Sequence, residues 1–127
     1  MAMTWAAGSC KAACDARTAR LNSGFLRLYS AGAVLLAELT FGATAFGAGT
    51  NASPSVATAN AIGQDPSANA SGTAATFSLY QSDGTTLEGS GTVTATGGGG
   101  DIEILSTAIV ALQPVTITAD MVGQTIG

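Results

Sequence analysis

The sequence contains no histidine. That absence removes the commonest general base, the physiological-pH switch and the commonest metal ligand together. Cysteine is nearly absent, with only Cys10 and Cys14 present. Two are too few for a disulfide framework, and a bridge within one helical turn is geometrically poor. A metal site built on them would need further soft or imidazole ligands that the chain lacks. Both cysteines are therefore expected as small core residues. Charge is scarce, at 9% of residues, and aromatics make up 6%. A surface so poor in charge has little to keep it soluble alone, so neighbours are expected to cover much of it. The longest apolar stretch, residues 31–37, falls far short of the roughly 20 residues needed to span a bilayer.

What remains is a chain of small residues. Its 127 residues allow one domain with a modest core. Much of its 46% apolar share is alanine, and 17 residues are glycine. The charges are segregated. All four cations, Lys11, Arg17, Arg20 and Arg27, lie in the first 27 positions, which with Asp15 carry +3. The remaining hundred residues carry seven carboxylates and no cation. Such a split allows attraction between copies, or docking of the basic end on an acidic partner, or simple solvation of a helix by Arg17 and Arg20. Residues 1–10 have no basic segment ahead of their apolar residues, and Lys11 interrupts them, so no secretory leader is expected.

Residues 5–21 predict one helix, ended by Asn22-Ser23-Gly24. Trp5, Cys10, Ala13, Cys14, Arg17 and Leu21 recur near helical spacing and mark its expected inner face. Beyond Gly24 the period changes to two. Residues 25–29 place Leu26 and Leu28 on one face. Residues 33–41 place Leu35, Ala37, Leu39 and Phe41 opposite Glu38. Residues 56–62 predict a weak third strand. Residues 73–80 and 86–96 form a hairpin around Ser82-Asp83-Gly84-Thr85, with Phe77, Leu79, Leu87 and Val93 inward. The four glycines at 97–100 predict a further turn. Residues 101–105 and 115–118 close the sheet, with Ile102, Ile104, Val115 and Ile117 inward. The pattern predicts a mainly β chain, an antiparallel β-sandwich or jelly-roll-like barrel preceded by one N-terminal α-helix. Residues 1–22 are the helical segment and 23–127 the sandwich of a single domain, 1–127.

Candidate chemistry is thin. Residues 42–49 superficially suggest a phosphate loop, but Ala48 stands where its lysine belongs. Asp83 with Glu88, and Asp101 with Glu103, are the carboxylate pairs available for acid–base work. Asp83 is better explained by turn chemistry, and Asp101 and Glu103 share the outer face of a strand. Asp65, Asp83, Asp101 and Asp120 lack calcium-loop spacing. Asn51-Ala52-Ser53 and Asn69-Ala70-Ser71 match the glycosylation sequon but carry no weight without a secretory leader. Four cations on an acidic chain argue against nucleic-acid binding. No catalytic residue, cofactor or metal ligand is assigned, and no enzyme activity is expected.

Several stretches resemble small proteins of tailed bacteriophages and prophages. They are Lys11-Ala12-Ala13-Cys14-Asp15-Ala16, the run from Leu21 to Tyr29, and Leu35-Leu36-Ala37-Glu38-Leu39-Thr40-Phe41. Ala59-Asn60-Ala61-Ile62, Ser82-Asp83-Gly84-Thr85 and the run from Thr94 to Asp101 extend the likeness over most of the chain. The resemblance implies a virion structural protein, specifically a capsid decoration or cement protein. Its partners would be the major capsid protein and other copies of itself, as a homotrimer or another homo-oligomer, with no nucleic acid and no membrane. It would be made in the bacterial cytoplasm and end on the capsid surface. The expected contact residues are Lys11, Arg17, Arg20 and Arg27, with the apolar loop bounded by Phe41 and Phe46. A head–tail joining or tail component is the alternative. A host-surface or glycan-binding module is the second, and it calls for a cluster of exposed aromatics.

Overall fold

A computed structural model describes residues 5–52, 55–60, 62–104 and 106–115, together with the backbone of 122–124. The chain is mainly β with one N-terminal helix, as the pattern predicts. Helix α1 (Ala7–Ala19) is shorter than expected, because Ala6 is already extended and offers no side-chain cap. Its buried line is Cys10, Cys14 and Thr18, continued by Leu21. Thr18 fits inside because its hydroxyl donates to the Cys14 carbonyl, 3.0 Å away. Trp5, Ala13 and Arg17, expected inside, face outward.

The strands are β1 (Phe25–Ser30), β2 (Leu35–Phe41), β3 (Val56–Thr58), β4 (Ile62–Gly63), β5 (Gly72–Tyr80), β6 (Leu87–Ala95), β7 (Ile102–Ile104), β8 (Ala108–Ile109) and β9 (Val122–Gln124). The main sheet runs β4-β2-β1-β5-β6-β7, with β8 also pairing β5. It curls into a half-barrel. A separate ribbon joins β3 to β9, and α1 packs against it. The predicted strand at 56–62 is thus two pieces with different partners, since β4 pairs β2 at the sheet edge. Of the predicted final strand, Val115 forms a bridge with Asp65. Residues 116–118, including Ile117, lie outside the described residues.

The sheet is mixed, because β6 and β7 run parallel, with Val93 beside Ile102 and Ala95 beside Ile104. Parallel neighbours ordinarily need a crossover of a dozen residues or more. Here a short loop suffices. Gly97 and Gly99 adopt φ of 91° and 80°, which glycine reaches without steric cost. The Gly100 N–H then donates to the Thr94 hydroxyl at 3.0 Å, turning the chain back along β6.

Three register shifts interrupt the ladders, and two of them set which large side chains face inward. In the β1–β2 ladder Leu28 pairs Ala37 while Tyr29 pairs Leu35, so Leu36 is the extra residue. Leu36 and Ala37 are consequently both buried, and Leu35 turns outward from its predicted place. In the β5–β6 ladder Leu79 pairs Gly89 while Tyr80 pairs Leu87, so Glu88 is extra. Leu87 is therefore 57% exposed rather than inward. The core gathers Leu26, Leu28, Leu36, Leu39, Phe77, Val93, Ile102 and Ile104 with smaller neighbours.

Among the described residues three polar side chains are buried, Thr18, Ser55 and Asp65. The Asp65 carboxylate accepts from the Glu38 N–H at 2.8 Å and the Ser67 N–H at 3.0 Å. It satisfies a backbone donor that the β2 edge would otherwise leave unpaired. Asp65→Ala is expected to lower stability by about 1–3 kcal/mol, because the Glu38 N–H loses its partner. Urea denaturation of the two proteins measures the difference.

Candidate functional site

The basic residues of the first 27 positions are mostly committed inside the molecule. Lys11 Nζ meets Asp15 at 2.7 Å, one helical turn along. Asp15 also accepts the Gly49 N–H at 2.6 Å, which ties α1 to the loop after β2. The hydrogen bond from Lys11, then that from Gly49, holds the Asp15 carboxyl below its ordinary pKa. Arg20 Nε donates to Glu88 at 2.9 Å, joining the helix end to the β5–β6 hairpin. Glu88 accepts from Gln81 as well. Arg20 first, then Gln81, draws the Glu88 pKa down.

Arg27 is the most enclosed cation. Its Nε donates to Glu38 at 2.6 Å. Its guanidinium lies 4.4 Å from the Tyr80 ring centre and 5.8 Å from that of Phe25. Gly84, at φ 72°, lies close to the Arg27 guanidinium and the Phe25 ring, so the hairpin turn folds over both. Burial, and then a hydrogen bond with Tyr80, raises the Tyr29 pKa. Phe25, Tyr29 and Tyr80, scattered in sequence, therefore meet around Arg27 on the outer face of the sheet. All three are half-buried.

The charge split is thus bridged within one chain, at Arg20–Glu88 and Arg27–Glu38. Among the described residues Arg17 is the cation that makes no ion pair. It sits exposed in the last turn of α1, where a cation suits the helix dipole. Phe41 and Phe46 require a correction. They are 4% and 6% exposed and pack together with ring centres 6.0 Å apart. Both rings and Ala45 turn inward, so the loop presents no aromatic surface to a partner, while residues 42–44 are exposed. The Ala45 N–H is held there by Asn22, at 2.9 Å.

The carboxylate pairs are occupied too. Asp83 accepts the N–H groups of Thr85 and Thr86, each at 2.9 Å, and the Thr86 hydroxyl. The Thr86 hydroxyl bond, followed by the two backbone bonds, lowers its pKa to about 2. Asp101 accepts from the Thr92 N–H at 2.9 Å. Glu103 accepts from Gly97 and Gly99, at 3.3 and 3.0 Å. Among the described residues no three histidine, cysteine or carboxylate side chains converge to hold a metal. Asp120 lies outside the described residues. Cys10 and Cys14 are both buried, and the Cys10 thiol donates to the Trp5 carbonyl at 3.8 Å.

Sequence reasoning missed the large apolar side chains left in solvent. Trp5 is 49% exposed, Val34 52%, Leu87 and Val110 57%, and Leu112 77%. On α1, Ser9, Ala13 and Arg17 form a line at helical spacing, and Trp5, which precedes the helix, lines an open cleft of about 250 Å³ with Ser9, Cys10 and Ala13. No protein-family model, curated protein or solved structure matches this chain.

Phe46→Ala is expected to destabilise the fold by about 3–5 kcal/mol, as a large core deletion does. Thermal unfolding followed by circular dichroism reads it. The Asp83 carboxylate, ionised in its turn, contributes stability above its ordinary pKa that is lost as pH falls toward 2. The stability gap between wild type and Asp83→Asn is therefore expected to close between about pH 5 and about pH 2. Urea midpoints across that range check it.

Proposed function

We propose that this chain is a structural component of a tailed-phage virion, a capsid cement protein that binds the outside of the shell and bridges major capsid subunits. The observation that carries the reading is the surface. Five large apolar side chains are 49–77% exposed on a chain with 9% charged residues. Isolated exposed apolar residues are ordinary, but here few charges accompany them, and covering them gains free energy. Commitment of Lys11, Arg20 and Arg27 to internal ion pairs supports the same reading, since three of the four cations are already engaged. The sequence likeness to small tailed-phage proteins supplies the identity of the shell.

The capsid-facing surface in this reading is Trp5, just ahead of α1, with the outer line of α1 through Ser9 and Ala13 to Arg17. An exposed indole and an unpaired guanidinium are the side chains most enriched at interface centres. The expected contacts therefore narrow from the whole basic segment to Trp5 and Arg17.

Deleting residues 1–20 would also strip Cys10, Cys14 and Thr18 from the core, so point variants are cleaner. Arg17→Glu and Trp5→Ala are each expected to weaken binding to undecorated shells by about tenfold or more, with the unfolding temperature unchanged. Co-sedimentation of the purified variants with shells measures this. Undiminished binding by both variants overturns the assignment of this surface.

A further inference from the structure

We propose that α1 is a hinged element that opens as a unit from the rest of the molecule, latched shut by Asp15 and Glu88, and that its opening uncovers Cys10 and Cys14. The line that α1 buries is light. It consists of Cys10, Cys14 and Thr18, and of these only Cys14 belongs to the main hydrophobic core. Burying two thiols and a threonine removes little apolar surface from water, so packing alone holds the helix weakly. Its N-terminus adds nothing, since Ala6 provides no side-chain cap. The main contacts of α1 are with β3 and β9, a two-stranded ribbon separate from the leucine-rich sheet. Such a ribbon is marginally stable by itself.

Polar fastenings therefore decide whether α1 stays down. Asp15 accepts the Gly49 N–H at 2.6 Å and the Lys11 ammonium at 2.7 Å. A Cβ at Gly49 would press on Ser55, Asp15 and Cys14, so the loop after β2 meets the helix directly beside its buried line. At the other end Arg20 Nε reaches Glu88 at 2.9 Å, and Gln81 holds the same carboxylate. Beyond Arg20 the chain belongs to the sheet. Leu21 lies in the core, Asn22 accepts the Ala45 N–H at 2.9 Å, and the Ser23 N–H donates to the Gly42 carbonyl at 2.8 Å. The pivot thus falls between Arg20 and Leu21. There the helix ends in three tight-turn bonds, from the N–H groups of Arg20, Leu21 and Asn22 to the carbonyls of Arg17, Thr18 and Ala19, at 3.1–3.3 Å.

Protonation of the two carboxylates releases the latch. Asp15 faces Lys11 and the Gly49 N–H, and the other elements against that face, β3, β9 and residues 42–52, contain no charged residue. Glu88 faces Arg20 and Gln81, with Asp83 of the same hairpin opposing its charge. Both carboxyls are held below their ordinary pKa in the folded chain. The latch is therefore complete above the ordinary carboxylate range near about pH 4, and is lost as pH falls through the lower folded values. Leu26, Leu28 and Leu39 hold the sheet without those charges, so α1 opens before the sheet unfolds. The inference stands independently of the virion reading.

Thiol labelling and native-state hydrogen exchange of the full chain test it. The labelling rate of Cys10 and Cys14, divided by that of an unstructured cysteine peptide under the same conditions, reads the open fraction. At pH 7 the double variant Asp15→Asn, Glu88→Gln is expected to raise that ratio about tenfold or more. Glu103→Gln, which neutralises a carboxylate on the Gly97–Gly99 turn instead, should leave it unchanged. Acidifying the wild type from pH 7 to about pH 3.5 should raise it as well. In the wild type the α1 amides are expected to open with a smaller free energy than those of Leu26 and Leu28. The exchange and acid measurements use the wild type, so they decide the matter even where the double variant does not fold. Labelling unchanged in a folded double variant, or unchanged on acidification, overturns the proposal. So do α1 amides that open only together with β1, or a Glu103→Gln variant that labels as fast as the double variant.

Discussion

Leu26 and Leu28 are fully buried, and β1 holds them there by ladders on both sides. The strand can take that central place because Gly24 lets the chain pass from helix to sheet at close quarters. A Cβ at Gly24 would collide with the carbonyl oxygens of Tyr80 and Leu21. The inward residues of β1 set the register of β2 and β5, opposing Leu39 and Ala37 on one side and Leu79 and Phe77 on the other. Its outward residues do the same for the other face, where Arg27 opposes Glu38 and stacks on Tyr80. One strand thus organises both the apolar core and the polar-aromatic cluster outside it. Truncation of either leucine would leave a cavity in a core otherwise rich in alanine, at a cost of about 2–5 kcal/mol.

That arrangement constrains what the surface can do. With few charges in the sequence, most ionic contacts are spent on joining elements: Arg20 to the hairpin, Arg27 across β1 and β2, Asp15 to the loop after β2. Carboxylates that might have served acid–base chemistry cap turns instead, as Asp83 and Glu103 do. Among the described residues, what is left outside without an ion pair is the exposed apolar side chains, uncharged polar ones and the Arg17 guanidinium. Covering the exposed apolar side chains gains free energy, which is the physical basis of the proposed assembling role.

Much of the fold was legible from the residues. Alternation at 25–29 and at 73–80, with Asp83-Gly84 between strands, fixes the central three strands because one face is buried and the period is two. The inward faces of β2 and β6 were misread at Leu35 and Leu87, since a bulge shifts the period by one and leaves no composition signal. The parallel approach of β7 was hidden for a similar reason, because four glycines look like an ordinary turn. Phe41 and Phe46 were read as contact residues bounding an apolar loop, yet both rings and Ala45 turn inward where Asn22 and Thr58 satisfy the backbone, leaving residues 42–44 outside. Arg27 was legible as a cation, but its partner Glu38 lies in the next strand, and only the ladder register brings the two together. The exposed Leu112 was legible only as part of a charge-free run ending before Pro114.

The central claim is that the chain coats a shell. Counting its copies against the major capsid protein in purified particles of the kind proposed tests that claim most directly. The account predicts on the order of hundreds of copies per particle, as a protein repeated on the shell's symmetry requires. A count of about six or twelve, the symmetry of a neck or tail ring, or absence from the purified virion would contradict it.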